Sequence, residues 1–180
     1  EMVSYAKQNP DKVNYSAPSA SFQLIAELFN GKTGAKFQHI PYKGSNDAIT
    51  AVMTQDVTMT LIDTGPAITA LQGGRVKAMA VTSGERLKDL PNVPTMTELG
   101  VDINVSFWSG LLAPAGTPAP IVKKIQEEVA KVLEMPDVKK RISGLAITPT
   151  SSTPEQFEKM INSEINAWRQ VATEKNIKAN

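Results

Sequence analysis

The stretch "HIPYKGSNDAI", His39 to Ile49, decides how this chain folds. A short apolar run ends in Tyr42-Lys43-Gly44-Ser45 and passes directly into a helical pattern carrying Ile49, Val52 and Met53. A strand that enters a helix through a glycine and small polar residues is one βα unit of a sheet. It also poses a chemical question. A cation, a glycine and a helix-capping serine at one strand end suit something negatively charged or strongly polar.

The same grammar repeats on both sides. Upstream, Val13 to Ser16 reads as a strand, followed by "SAPSAS" (16–21) and the apolar-periodic "FQLIAELF", which stops at Asn30-Gly31. "FQHIPY" (37–42) is the second strand. Downstream, "VTMTLID" (57–63) is the third, followed by Thr64-Gly65-Pro66 and a short helix ending at Gly73-Gly74, and "VKAMAVTS" (76–83) is the fourth. Met2, Val3, Tyr5 and Ala6 mark a helix at the start. Strand, polar loop and helix in repeated units predict an α/β fold with a parallel sheet covered by helices. Antiparallel hairpins need tight two-residue turns between strands, and none is present.

In a parallel sheet every strand's C-terminal end, with the N-terminus of the next helix, lies along one rim. Unpaired backbone N–H groups and aligned peptide dipoles make that rim favourable for anions. Three loops converge there: "SAPSAS" with Ser16, Ser19, Ala20 and Ser21, "YKGSND" with Tyr42, Lys43, Gly44 and Ser45, and "DTGP" with Asp63 and Thr64. These are the candidate ligand-binding residues. No phosphate-binding GxxxxGK[ST] or dinucleotide GxGxxG motif occurs, so neutral donors, one lysine and one carboxylate suit a small polar anion better than a nucleotide. A purely structural reading of each residue stays open: Ser21, Ser45 and Asn46 as helix caps, Gly44 as a turn former, Lys43 as a solvated cation.

Composition narrows the function classes. The 180 residues are 41% hydrophobic and 21% charged, without an apolar run long enough to span a bilayer, so direct membrane insertion is not expected. Nineteen Lys plus Arg against eighteen Asp plus Glu give no general pull toward nucleic acid or anionic lipid. Cysteine is absent and His39 is the sole histidine, which removes thiolate chemistry, disulfides and histidine-rich metal sites. There is no GxSxG elbow; Asp47 and Asp63 could form a carboxylate pair, but Asp47 reads better as first-turn charge on a helix. No catalytic residue, metal or cofactor is expected.

The second half is differently built. Residues 84–120 carry prolines at 91, 94, 114, 118 and 120 and read as a long connection with one short apolar strand, Phe107 to Ala113. Thr117-Pro118 opens a helix with Ile121, Val122, Ile125, Val129, Val132 and Leu133 on one stripe. Met135-Pro136 ends it, and Val138 to Ile142 gives a shorter helix stopped by Gly144. Thr153-Pro154-Glu155-Gln156 is a capping box, opening a helix expected to bury Phe157, Met160, Ile161, Ile165, Trp168 and Val171.

The blocks "HIPYKGS", "GGRVKAMAVTSGERLKDLPNVPTMTELGV", "FWSGLLAPAGTPAPIVKKI" and "TPEQFEKMINSEINAW" resemble, in order and spacing, the solute-binding receptors of tripartite tricarboxylate transporters, the Bug or TctC family. The resemblance implies a periplasmic-binding-protein-like (type II) fold. It further implies a periplasmic receptor of two α/β lobes that close on a small carboxylate (a dicarboxylate, tricarboxylate or acidic amino acid) and deliver it to membrane permease subunits. Residues 1–105 would be the second, ligand-binding lobe, and 106–180 the hinge return and C-terminal helical part of the first. Family members begin with a signal peptide and a first lobe, so an N-terminal portion is expected to be missing and the C-terminal helices to lack their sheet. Within the first loop, Ser16, Ala17 and Ser21 match the family pattern, Pro18 and Ala20 replace glycines, and Gln23 stands where a histidine is frequent. Pro41 to Gly44 match intact, Asp63 takes the usual acidic position, and Trp108 matches an aromatic near the hinge. A ligand-sensing domain of the same fold, acting in signalling, is the alternative.

Overall fold

The computed structural model describes residues 1–175 and 177. Two compact units divide the chain: Glu1–Ser106 with the chain end from Gln170, and Phe107–Arg169.

The first unit is built on a three-stranded parallel sheet. α1 (Met2–Gln8) and one 3-10 turn (Pro10–Lys12) lead into β1 (Asn14–Ala17), α2 (Ala20–Thr33), β2 (Gln38–Pro41), α3 (Ser45–Met53), β3 (Met59–Thr60) and α4 (Thr64–Gln72). The strand order is β2-β1-β3, with Ala17 opposite Pro41 and Ser16 opposite Thr60. The chain therefore leaves the central strand to one side and crosses to the other through α3. Side chains alternate across a strand, and β1 shows which helix covers which face. The Tyr15 hydroxyl donates to Glu27 of α2 at 2.9 Å, while the Ser16 hydroxyl donates to the Ala48 carbonyl of α3 at 3.3 Å. Helices thus cover both faces.

On the α2 face the core gathers Val13, Tyr15, Ala17, Phe22, Ala26, Phe29 and Phe37, closed by Ile103 from the later connection. Asn30 stitches the α2–β2 turn: its amide donates to the Phe37 carbonyl at 3.0 Å and accepts from the Phe37 N–H at 3.1 Å. On the α3 face, Ser16, Ala48, Ile49 and Ala51 are buried, and the small side chains of Ser16, Ala48 and Ala51 let the helix approach the sheet closely.

Three sequence expectations change in this unit. Helix α2 does not stop at Asn30-Gly31 but runs to Thr33, because Gly34, at φ +69°, supplies the left-handed C-terminal residue. The third strand shortens from 57–63 to Met59–Thr60. The fourth strand, 76–83, is not formed; Val81 alone makes a parallel bridge, with Thr95. An alternating pattern becomes a strand only against a partner ladder, and β3 offers two residues. The connection is instead held by Arg86, whose Nε donates to both Glu98 oxygens at 2.9 and 3.0 Å, and by Thr95, which exchanges hydrogen bonds with Glu98. These bonds hold the Glu98 carboxyl below its usual range.

The second unit is helical: α5 (Ala119–Glu134), α6 (Pro136–Ser143) and α7 (Pro154–Lys175), the last continuing into the first unit. The capping box forms as expected, with the Gln156 N–H donating to the Thr153 hydroxyl at 3.2 Å and the Thr153 N–H to the Gln156 side chain at 3.0 Å. Thr117 does not cap α5; Pro118 holds that position and the Thr117 hydroxyl donates to the Pro114 carbonyl. Phe107–Ala113 is not a strand, and the expected burial along α7 does not occur: Phe157, Met160, Ile161, Trp168 and Val171 are half-buried and Ile165 is exposed. The reason is shared. Among the described residues 107–169 there is no strand and no fully buried side chain, so the apolar stripes have no sheet to cover. Trp108 packs edge-on against Phe157, ring centroids 5.1 Å apart, and its indole N–H donates to Glu164 at 2.8 Å.

Candidate functional site

The parallel register carries the three loops to one rim. β1, β2 and β3 end at neighbouring levels, and the turns Pro18-Ser19, Tyr42-Lys43-Gly44 and Leu61-Ile62-Asp63 follow directly. Each turn opens a helix. The capping residues are Ser19 for α2, Gly44 for α3 and Asp63 for α4, and none of the three uses a side chain to cap. Their carbonyls accept the first helical bonds, from Gln23, Ala48 and Ala67. Three helix starts without side-chain caps therefore point their first-turn N–H groups toward one edge.

Gly44 is placed where only glycine fits. Its φ of 87° and ψ of 162° lie in a region closed to residues with a Cβ. A Cβ there would meet open space, so backbone conformation alone imposes the glycine. The serine read from sequence as a possible cap, Ser45, is the first helical residue instead.

The candidate residues separate by position. Ser19, Ser21, Lys43, Gly44 and Asp63 are exposed, and Ala20, Tyr42, Ser45 and Thr64 are half-buried. Ser16 differs: it lies inside β1 at 0% exposure with its hydroxyl committed to α3, beneath the rim and not on it. Two of the loops are joined directly, because the Ser45 hydroxyl donates to Asp63 Oδ2 at 3.4 Å. Trp108 belongs to the other unit.

Sequence reasoning missed a groove of about 540 Å³ between α3 and α4, lined by Asn46, Ile49, Thr50, Met53, Pro66, Thr69 and Ala70. Its two threonine hydroxyls bond back to their own helices, Thr50 to the Asn46 carbonyl and Thr69 to the Gly65 carbonyl. It therefore offers few free polar groups. The recurrence of small and hydroxyl residues at Thr50, Thr69 and Ala70 was its available sequence signal. Among the described residues no cluster of three or more acidic or histidine side chains could hold a metal ion, and no helix is long and apolar enough to cross a membrane.

A doubly covered parallel sheet with anion-favouring helix starts on one rim is the architecture of a periplasmic-binding-protein-like lobe. A family model described as "Tripartite tricarboxylate transporter family receptor" matches residues 1–177, and the chain belongs to that family. This is a receptor family and not an enzyme family. Protein BugT of Bordetella pertussis is 30% identical over 176 residues, covering 96% of this chain and 54% of that protein. Among solved structures, R. palustris Rpa4515 with adipate is 28% identical at a TM-score of 0.82, covering 96% of this chain and 58% of that one. MatC from Rhodopseudomonas palustris with bound malate is 29% identical at a TM-score of 0.70, covering 94% and 60%. The chain spans about half the length of the curated relatives it matches.

Proposed function

We propose that this chain is the ligand-binding part of a periplasmic solute receptor that captures a small carboxylate and passes it to the permease subunits of a tripartite tricarboxylate transporter. In this reading residues 1–105 act as one lobe, and residues from 106 carry the hinge return and helices of the other. The observation that carries the reading is the convergence of three helix starts without side-chain caps on one rim, in a chain whose structural neighbours include proteins solved with adipate and malate.

One ligand carboxylate sits against the first-turn N–H groups of α2 and α3, with the exposed hydroxyls of Ser19 and Ser21 as further donors. Each charge-assisted hydrogen bond contributes roughly 1.5–3 kcal/mol once water is excluded. Lys43 adds long-range attraction that salt screens. Ala20 and Gly44 let the backbone come close, and Tyr42 and Thr64 border the same rim. Ser16 supports α3 from below and makes no ligand contact.

Calorimetric titration of the purified full-length protein with a panel of di- and tricarboxylates tests this. Saturable binding with ligand recovered unchanged is the expected result. Absence of binding across the panel contradicts it. Recovery of the protein from a periplasmic extract, and its capture on membranes holding the permease only when ligand is present, test the remaining two elements.

A further inference from the structure

His39 is the only histidine of the chain, and it lies in the sheet beneath two of the three rim turns. In the register of β2 against β1 it stands opposite Tyr15, the two ring centroids 5.1 Å apart. Each strand then runs on to its turn, from Tyr15 to Pro18 and from His39 to Tyr42. The Tyr15 hydroxyl donates to Glu27 Oε1 at 2.9 Å, tying α2 to the same pair, and the Asn30 amide donates to that oxygen at 3.4 Å. The side chains of Tyr15, His39 and Glu27 thus join β1, β2 and α2, the elements that deliver the starts of α2 and α3 to the rim.

This arrangement suits a neutral ring. Nε2 of His39 is buried and has no hydrogen-bond partner among the described residues. The titratable groups facing the ring are Tyr15 from β1 and Glu27 from α2. β2 carries no other, and Lys32, farther along α2, is paired with Asp102 at 2.8 Å. Burial and the bond to Glu27 keep the Tyr15 hydroxyl protonated. A second proton on the imidazole makes both ring nitrogens donors, and Glu27 Oε1 already receives two bonds. Satisfying the new donor requires Glu27 to leave Tyr15 or the ring to leave its slot. Either change loosens the elements that align the two helix starts.

A ligand seated against both starts holds those elements together and denies that relief, so binding and protonation oppose each other. The positive charge pulls the other way, toward an anion on the rim. Three residues of strand place it about 10 Å below, near the screening distance, where its attraction changes affinity by about twofold. A buried cationic donor left unpaired weighs on the order of tenfold. The unpaired donor prevails.

We infer that His39 is a positioning residue for the carboxylate site, acting through Tyr15 and Glu27, and that its protonation releases the ligand. The receptor holds its carboxylate near neutral pH and lets it go in acid. The inference rests on the carboxylate-binding reading and adds its regulation.

The test is calorimetry on the purified full-length protein and on His39→Gln, between pH 7 and 5, with whichever of malate and adipate binds at pH 7. The ligand's own titration is common to both proteins, so the ratio of their affinities isolates His39. The unaltered protein is expected to lose about threefold to tenfold more affinity than His39→Gln across that range. Titrations in two buffers of different ionisation enthalpy should also show it releasing protons on binding that the variant does not. Should His39→Gln fail to fold, Glu27→Gln reads the same relationship. It keeps an acceptor for Tyr15 but removes the charge that favours a proton on the ring, so the affinity loss moves to lower pH. A merely structural role would not move that midpoint. A flat affinity ratio, a relative gain by the unaltered protein in acid, or an unmoved midpoint in Glu27→Gln overturns the inference and leaves the carboxylate reading intact. No binding of either ligand at pH 7 overturns both.

Discussion

The Ser45 hydroxyl donates to Asp63 Oδ2 at 3.4 Å, tying the start of α3 to the start of α4 across the edge of the sheet. Because the bond is long and Asp63 is exposed, its weight in folding is small. Ser45→Ala is expected to lower the unfolding free energy by no more than about 1 kcal/mol in urea titration. A loss well above that would assign the pair a mainly structural role.

Ser16 is the opposite case. It is fully buried between β1 and α3, and its hydroxyl satisfies the Ala48 carbonyl. Ser16→Ala is expected to cost about 1 kcal/mol, and Ser16→Leu to cost about 1–3 kcal/mol or more by forcing α3 off the sheet. Ser19→Ala and Ser21→Ala change stability by less than about 0.5 kcal/mol, because both residues are exposed, and weaken carboxylate binding instead. Urea midpoints set beside calorimetric affinities separate the two groups.

Gly44→Ala tests backbone strain without steric confusion, since an added Cβ meets nothing within 4 Å. At φ 87° the substitution is expected to destabilise by roughly 1–3 kcal/mol, or to swing the loop and lower affinity at the same time. Full stability together with full affinity in this variant would contradict the assigned geometry.

His39 brings a pH dependence whose sign follows from its surroundings. Its ring lies 5.1 Å from Tyr15, and Nε2 is buried without a hydrogen-bond partner among the described residues. Burial lowers its pKa below the ordinary 6.5, against smaller opposing effects from Glu27 and the Ala17 backbone. Above pH 6.5 the group is neutral in both folded and unfolded chains. As pH falls below 6.5 the unfolded chain takes up a proton that the folded chain does not, so stability declines until the folded group titrates too. His39→Phe should flatten the urea midpoint between about pH 7 and 5. Glu98 and Asp102, whose pKa values are lowered by Arg86 and Lys32, lose their contributions in a more acidic window.

The half of the chain around His39–Ile49 was legible because each βα unit states its own period and its own stop. The capping box at Thr153–Gln156 was legible for the same local reason. What failed depended on partners that a local pattern does not name. Residues 76–83 alternate as a strand should but have no ladder to join, and Phe107–Ala113 has no sheet in its unit. Gly31 and Gly34 both look like helix stops; only the fold shows that Gly34 takes the left-handed conformation. Likewise Ser16 and Ser19 are indistinguishable as serines in "SAPSAS", and the register of β1 decides that one is buried and the other exposed.

The second unit leaves Leu111 and Leu112 at 72% and 78% exposure, with Ile121, Ile125, Val132, Met135, Leu145 and Ile147 about half exposed or more. Apolar surface of this kind drives association when nothing covers it. The isolated 180-residue chain is expected to bind a hydrophobic dye and to self-associate with rising concentration. Leu111→Ser with Leu112→Ser should lessen both, as followed by dye fluorescence and light scattering.

The central claim, that a small carboxylate is received by helix starts on one sheet edge, is tested most directly by backbone amide chemical shifts during titration with malate. The largest changes are predicted at Ser19 to Phe22, Gly44 to Asn46 and Asp63 to Gly65. Changes concentrated on Thr50, Met53 and Thr69 in the α3–α4 groove, with those three stretches unmoved, would contradict it.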